Sequence, residues 1–143
     1  MLGYVNNEKV VEKIKYDVLM NIENQDVDSI VKYTLVLKSF IDFTDLKQIG
    51  AFLGMTTGAI VAFNIVNPVG IAAGITLTIA SLSSSNKNRK AVKLYKKLLT
   101  VLLMSLDIVH NATPEQVQAI LDRTSAEDLV DFLENEGCTV RND

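Results

Sequence analysis

Hydrophobic residues recur at helical spacing through most of this chain, but the polar residues that should separate them are distributed very unevenly. Val10, Val11, Ile14, Val18, Leu19 and Ile22 mark a first amphipathic helix after Asn6 and Asn7, either of which can serve as its N-cap. Asp26 or Asp28 can cap a second, with Ile30, Tyr33, Thr34, Leu37, Phe40 and Ile41 along one side until Asp42 to Asp45 interrupts it. From Gly50 to Ser85 there is then no Asp, Glu, Lys, Arg or His at all.

Inside that stretch Asn67-Pro68 is the strong breaker, because proline lacks an amide hydrogen and turns the preceding residue away from helical geometry. The segment is therefore predicted to form two helices, about Asp45 to Val66 and Pro68 to Ser84, joined as a tight antiparallel hairpin with Asn67 and Pro68 at its turn. Ile60 to Val66 and Ile75 to Ile79 are rich in β-branched residues, but the glycine spacing favours helix. Gly50, Gly54, Gly58 and Ala62 lie four apart and make one small-residue stripe, and Gly70, Ala73 and Gly74 open a comparable stripe on the second helix. Two such faces can meet closely, which leaves the large side chains pointing outward and in need of apolar surroundings, lipid or protein.

Length discriminates between these surroundings. Crossing a hydrocarbon core of roughly 30 Å takes about 20 helical residues. The first predicted helix is long enough, whereas the second offers only about 14 strongly apolar positions, roughly 21 Å, before its serine run. Asn64, Asn67 and several threonines further moderate the drive for insertion.

Beyond the hairpin, NKNRKAVKLYKKLLTVLLMSLDIVHN begins basic and turns apolar, with a face wide enough to predict a central helix over residues 86–111. Thr113-Pro114-Glu115-Gln116 has the form of a capping box with proline at the first helical position, and Thr124-Ser125-Ala126-Glu127 repeats the arrangement. Residues 113–137 thus read as an amphipathic αα-hairpin that Gly137 closes, with an acidic outer surface. The fold class expected is all-α, one domain over residues 1–143: a bundle of six to seven helices built around a glycine-rich hydrophobic hairpin, with amphipathic helices in 1–44 and the hairpin in 45–85.

Charge sharpens this picture. The formal net charge of -3 conceals a basic belt, six bases and no acid from Asn86 to Lys97, and an acidic end, eight acids against two bases from Thr113 to Asp143. Lys87, Arg89, Lys90 and Lys93 directly follow the uncharged segment and match the positive flank that orients membrane segments and holds anionic headgroups. A solvated polar face paired with the acidic end is the plainer reading of the same belt. Nucleic acid is not expected as a partner, since the belt is short, contains one aromatic residue, Tyr95, and sits in an acidic chain.

No catalytic constellation is visible, and the chain is not expected to be an enzyme or to need a cofactor. His110 and Cys138 are its single histidine and cysteine, so no metal site using several such ligands is expected, and one thiol gives no internal disulfide. The first seventeen residues are too charged to supply the apolar core of a signal peptide, so the internal segment is what would bring the chain to a membrane.

A glycine-rich hydrophobic hairpin enclosed by amphipathic helices is similar in architecture to the pore-forming domains of colicin-like toxins. The resemblance implies a soluble bundle that opens and inserts its buried hairpin. The function expected is membrane activity through the hairpin, with a lipid bilayer as partner, homo-oligomerisation through the small-residue stripes, and both termini on the cytoplasmic side. The alternative is a soluble cytoplasmic interaction protein, an adaptor, inhibitor or homo-oligomer that keeps the hairpin as its core and binds a protein partner through its acidic C-terminal helices.

Overall fold

The computed structural model describes residues 4–5, 7–41, 44–45, 48–49, 89–138 and 140–141. Of the predicted hairpin, residues 50–85, with Gly50, Gly54, Gly58, Ala62, Asn67, Pro68, Gly70 and Gly74, lie outside them, as does Lys87. Within the described residues the protein is all-α, with five α-helices: α1 (Asn7–Lys13), α2 (Val27–Ser39), α3 (Arg89–Ile108), α4 (Pro114–Arg123) and α5 (Ala126–Asn135). A two-residue antiparallel ladder, β1 (Tyr4–Val5) with β2 (Val140–Arg141), pairs the two ends of the chain.

The first periodic stretch is helical but not uniform. It leaves α1 through a π turn, Ile14–Val18, and a 3-10 turn, Leu19–Asn24, with a non-helical kink at Asn21 (φ -127°, ψ 38°). Val10, Ile14 and Val18 explain the π turn: a spacing of four drifts around an α-helix of about 3.6 residues per turn, and one wider turn offsets the drift. All three side chains are buried. Past the kink, Nε2 of His110 donates to the Ile22 carbonyl at 2.7 Å, tying this segment to the turn after α3.

Asp26 occupies the N-cap position of α2 with extended backbone but makes no side-chain cap bond, and Asp28 lies inside the first turn. Asp28 instead accepts from Arg123 of α4 at 2.8 Å and pairs with Lys32 at 2.9 Å. Burial alone would raise its pKa, yet the hydrogen bonds and charges of Arg123 and Lys32 outweigh that and hold it below the ordinary carboxylate value.

From Ile30 to Ser39 every residue of α2 except Lys32 is buried. Thr34 is satisfied by donating to the Ile30 carbonyl at 2.7 Å, and Ser39 donates to that of Val36, so two hydroxyls sit inside the core without orphaned donors. Lys38 is buried as well, and desolvation lowers its pKa. Among the described residues α2 is the most completely buried helix. Its partners are α3, packed through Leu98, Leu99, Leu102, Leu103 and Leu106 and through the Phe40–Tyr95 ring pair at 5.2 Å, and α4 with α5, packed through Val117, Ile120, Leu129 and Leu133.

The C-terminal helices carry the boundaries that capping chemistry predicts, with one shift of register. At α4 the Gln116 amide donates to Thr113 Oγ1 at 3.1 Å and the Thr113 amide to Gln116 Oε1 at 2.9 Å, completing the box with Pro114 as first helical residue. At α5 the cap is Ser125 with Asp128, not Thr124 with Glu127. Thr124 is buried and donates to the Ile120 carbonyl, so its hydroxyl closes α4 instead.

Gly137 ends α5 with φ +82°, while the Gly137 amide bonds to the Glu134 carbonyl at 3.1 Å and that of Cys138 to Leu133 at 2.8 Å, the paired bonds of a Schellman motif. A Cβ added at Gly137 would meet nothing within 4 Å, so only backbone conformation opposes a side chain there. Gly137→Ala is expected to lower stability by about 1 to 2 kcal/mol, the cost of a left-handed conformation for an L-residue, as read from urea denaturation. An unchanged midpoint would mean that the helix can end another way.

Candidate functional site

Of the residues singled out for lipid contact, Arg89 and Lys90 fall in the first turn of α3, and Lys93, one turn on, has an exposed side chain. Lys97 is also exposed. Lys96 is engaged differently: its ammonium lies 3.2 Å from Asp45 Oδ1, a partly buried bridge from α3 to the segment before the uncharged stretch. Lys93, Lys96, Lys97, Thr100 and Val101 together line an open depression on the surface of α3.

The basic end continues into an apolar one. Val101, Met104 and Ile108 are 45%, 39% and 63% exposed, large side chains facing outward where a central helix should bury them. Residues 93, 97, 101, 104 and 108 fall at steps of four and three, so at about 100° per residue they share an arc of roughly 80°. Leu98, Leu99, Leu102, Leu103 and Leu106 occupy the opposite side and are buried. Helix α3 is thus amphipathic in an unusual sense: one face is core, and the other runs from lysine to hydrocarbon.

Two further surfaces accompany it. On α4 and α5 the carboxylates Glu115, Asp122, Glu127, Asp128, Asp131 and Glu134 are exposed, with Arg123 as the exposed base among them. Hydrogen bonds from the Ser125 amide and hydroxyl system hold Asp128 below its ordinary pKa. Among the described residues no ion pair joins the α3 lysines to these acids, and α3, α4 and α5 each pack on α2.

The other surface is a cleft between α1 and the chain end, lined by Lys9, Glu12, Lys13, Tyr16, Asp17, Glu136, Gly137 and Cys138. Lys13 stands 3.0 Å from Asp17 and 3.5 Å from Glu136, and the hydrogen bond it donates to Asp17, aided by both charges, raises its pKa against the opposing effect of burial. Burial pushes the Cys138 thiol up, away from the reactive thiolate form. Tyr16 and Met20, at 64% and 75% exposure, project from the same N-terminal segment.

Among the described residues no group of three or more His, Cys, Asp or Glu side chains is placed to hold a metal ion, and no helix is long and apolar enough to cross a membrane. No protein-family model, curated protein or solved structure matches the chain. The apolar half of the α3 face was present in the sequence as the spacing of Val101, Met104 and Ile108. Periodicity alone did not separate it from the leucine face, since both recur at three and four.

Proposed function

We propose that this is a non-enzymatic, membrane-active helical protein in which residues 45–85 form a glycine-rich hairpin that inserts in or docks on a bilayer, carried by the described helices. In this reading the whole chain is a bundle of six to seven helices around that hairpin, with both termini on the cytoplasmic side and the basic start of α3 at the headgroups. The stripes Gly50, Gly54, Gly58, Ala62 and Gly70, Gly74 supply close helix packing and a route to homo-oligomers.

The observation that carries the reading is the junction at Arg89. An uncharged segment ending at Ser85 leads within a few residues into a helix on which Lys93 and Lys97 have exposed side chains. Cations in that place neutralise anionic headgroups at about 1 kcal/mol per lysine or arginine near the surface.

Flotation with liposomes tests it. The full chain is expected to rise with vesicles containing phosphatidylserine, less with neutral vesicles, and more strongly at acid pH, where protonation of surface carboxylates removes repulsion from the bilayer. Recovery as a stable monomer that fails to bind vesicles of either kind at any pH would overturn the reading. That outcome would favour the soluble interaction protein, which has one specific observation behind it: the exposed carboxylates of α4 and α5 form a surface suited to a basic partner.

A further inference from the structure

We infer that α3 makes a membrane contact of its own, lying lengthwise on an anionic bilayer surface through Lys93, Lys97, Val101, Met104 and Ile108. The inference rests on the membrane reading above but concerns a different element, a helix that is packed and amphipathic and does not need to insert. The five residues form one continuous line, roughly 22 Å long at about 1.5 Å per residue, and it is available because the leucines behind it are occupied by α2.

Three features of the line select the partner. Its cations have no ion-pair partner among the described residues, whereas the neighbouring Lys96 is held by Asp45, so Lys93 and Lys97 are the lysines left for an external anion. No carboxylate stands on it; Asp107, the nearest in sequence, falls about 40° outside the arc at about 100° per residue. Its apolar side chains Val101, Met104 and Ile108 are exposed side by side as one contiguous strip that continues the lysine line. Lysine stems snorkel to the headgroups while Met104 and Ile108 enter the acyl boundary.

Chain order then favours a bilayer over an acidic protein. Helix α3 opens at Arg89, just after the segment assigned to the membrane, so its first turn starts within the headgroup layer and its exposed line continues along it. The acidic helices α4 and α5 pack on α2 rather than on this line, which keeps their carboxylates off the contact.

The chain contains no tryptophan, so Ile108→Trp places a single reporter on the line. With full-length protein and vesicles containing phosphatidylserine, its emission is expected to shift to the blue and be quenched by brominated acyl chains. Gln118→Trp, on the exposed side of α4, keeps its water-exposed emission on the same vesicles. Adding Lys93→Glu and Lys97→Glu to the Ile108→Trp protein should weaken vesicle binding about tenfold or more. Met104→Trp provides the same readout if Ile108→Trp alters the circular dichroism melt.

Each contrary result overturns the inference in an identifiable way. Unchanged emission in protein that floats would remove the α3 contact and leave the hairpin reading standing. Failure to float would remove both. A blue shift without lipid, accompanied by a doubled mass in light scattering, would make the line an interface between copies of the chain.

Discussion

Leu102→Ala is expected to cost about 3 kcal/mol of folding stability, a large share of the roughly 5 to 15 kcal/mol that holds an ordinary domain together. Leu102 is fully buried at the centre of the α2–α3 contact, flanked by Leu98, Leu99, Leu103 and Leu106, so truncation removes packed hydrocarbon and leaves a cavity that two rigid helices cannot close. Its neighbour makes the experiment discriminating. Val101 is 45% exposed, and Val101→Ala should move stability by no more than about 0.5 kcal/mol. Urea denaturation followed by far-ultraviolet circular dichroism measures both. Equal losses at the two positions would mean that the outward face of α3 is covered and that its exposed line has been misplaced.

This pair of residues also marks where sequence pattern loses resolution. From Leu98 to Val109 nine of the twelve residues are apolar, and Thr100, Ser105 and Asp107 are too few and too spread to mark the solvent side, so periodicity gives the helix without its orientation. The same crowding hid the most completely buried helix. Lys32, Lys38 and Ser39 make α2 look two-sided in sequence, yet Lys38 and Ser39 are buried, Ser39 because its hydroxyl returns to the Val36 carbonyl. Where the chemistry is local the sequence was sufficient. The box at Thr113 and the glycine stop at Gly137 depend on residues within one turn of each other, so their identities specify their geometry.

The cap of α5 shows the limit of that rule. Thr124 and Ser125 offer the same hydroxyl, and both alternatives place an acid three residues on, Glu127 or Asp128. What decides between them is that the Thr124 hydroxyl is buried beneath α4 and already donates to Ile120, which is a tertiary fact. The π turn at Ile14–Val18 has the same origin, since only the need to keep Val10, Ile14 and Val18 against one core favours it over a regular helix. For the candidate site, the basic start of α3 was legible as a run of like charges, while its apolar continuation required knowing which side α2 occupies.

Alkaline titration should unfold the protein through Tyr33, and Tyr33→Phe should delay that unfolding. The Tyr33 ring is 1% exposed and meets Phe132 edge to face at 4.8 Å, while its hydroxyl is buried without a hydrogen-bond partner among the described residues. Burial is the main reason its pKa stands well above the ordinary 10.0, and the charges of Glu136, Cys138 and Asp17 around it push the same way. Glu136 acts here through its charge, since no hydrogen bond to the hydroxyl forms.

The sign follows from proton linkage. A pKa raised in the folded state means that above pH 10 the unfolded chain gives up the phenolic proton first, so stability present at neutral pH is lost as pH climbs towards the folded value. Cys138, also raised by burial, starts the loss from its ordinary value of 9.0. Lys13, raised chiefly by its bond to Asp17, adds to the loss above 10.5, while Lys38, lowered by burial, works in the opposite direction as pH approaches 10.5.

Comparison of wild type with Tyr33→Phe isolates the phenol from these other groups, because the lysines and the thiol contribute equally to both proteins. The substitution keeps the ring against Phe132 and removes an unsatisfied hydroxyl, whose burial costs about 1 to 3 kcal/mol. The variant should therefore be at least as stable as wild type at pH 7, with the difference in its favour widening above pH 10 in thermal melts. Superimposable curves from pH 7 to 11 would mean that the hydroxyl is hydrated in solution and that the α2–α5 contact is looser than its ring geometry implies.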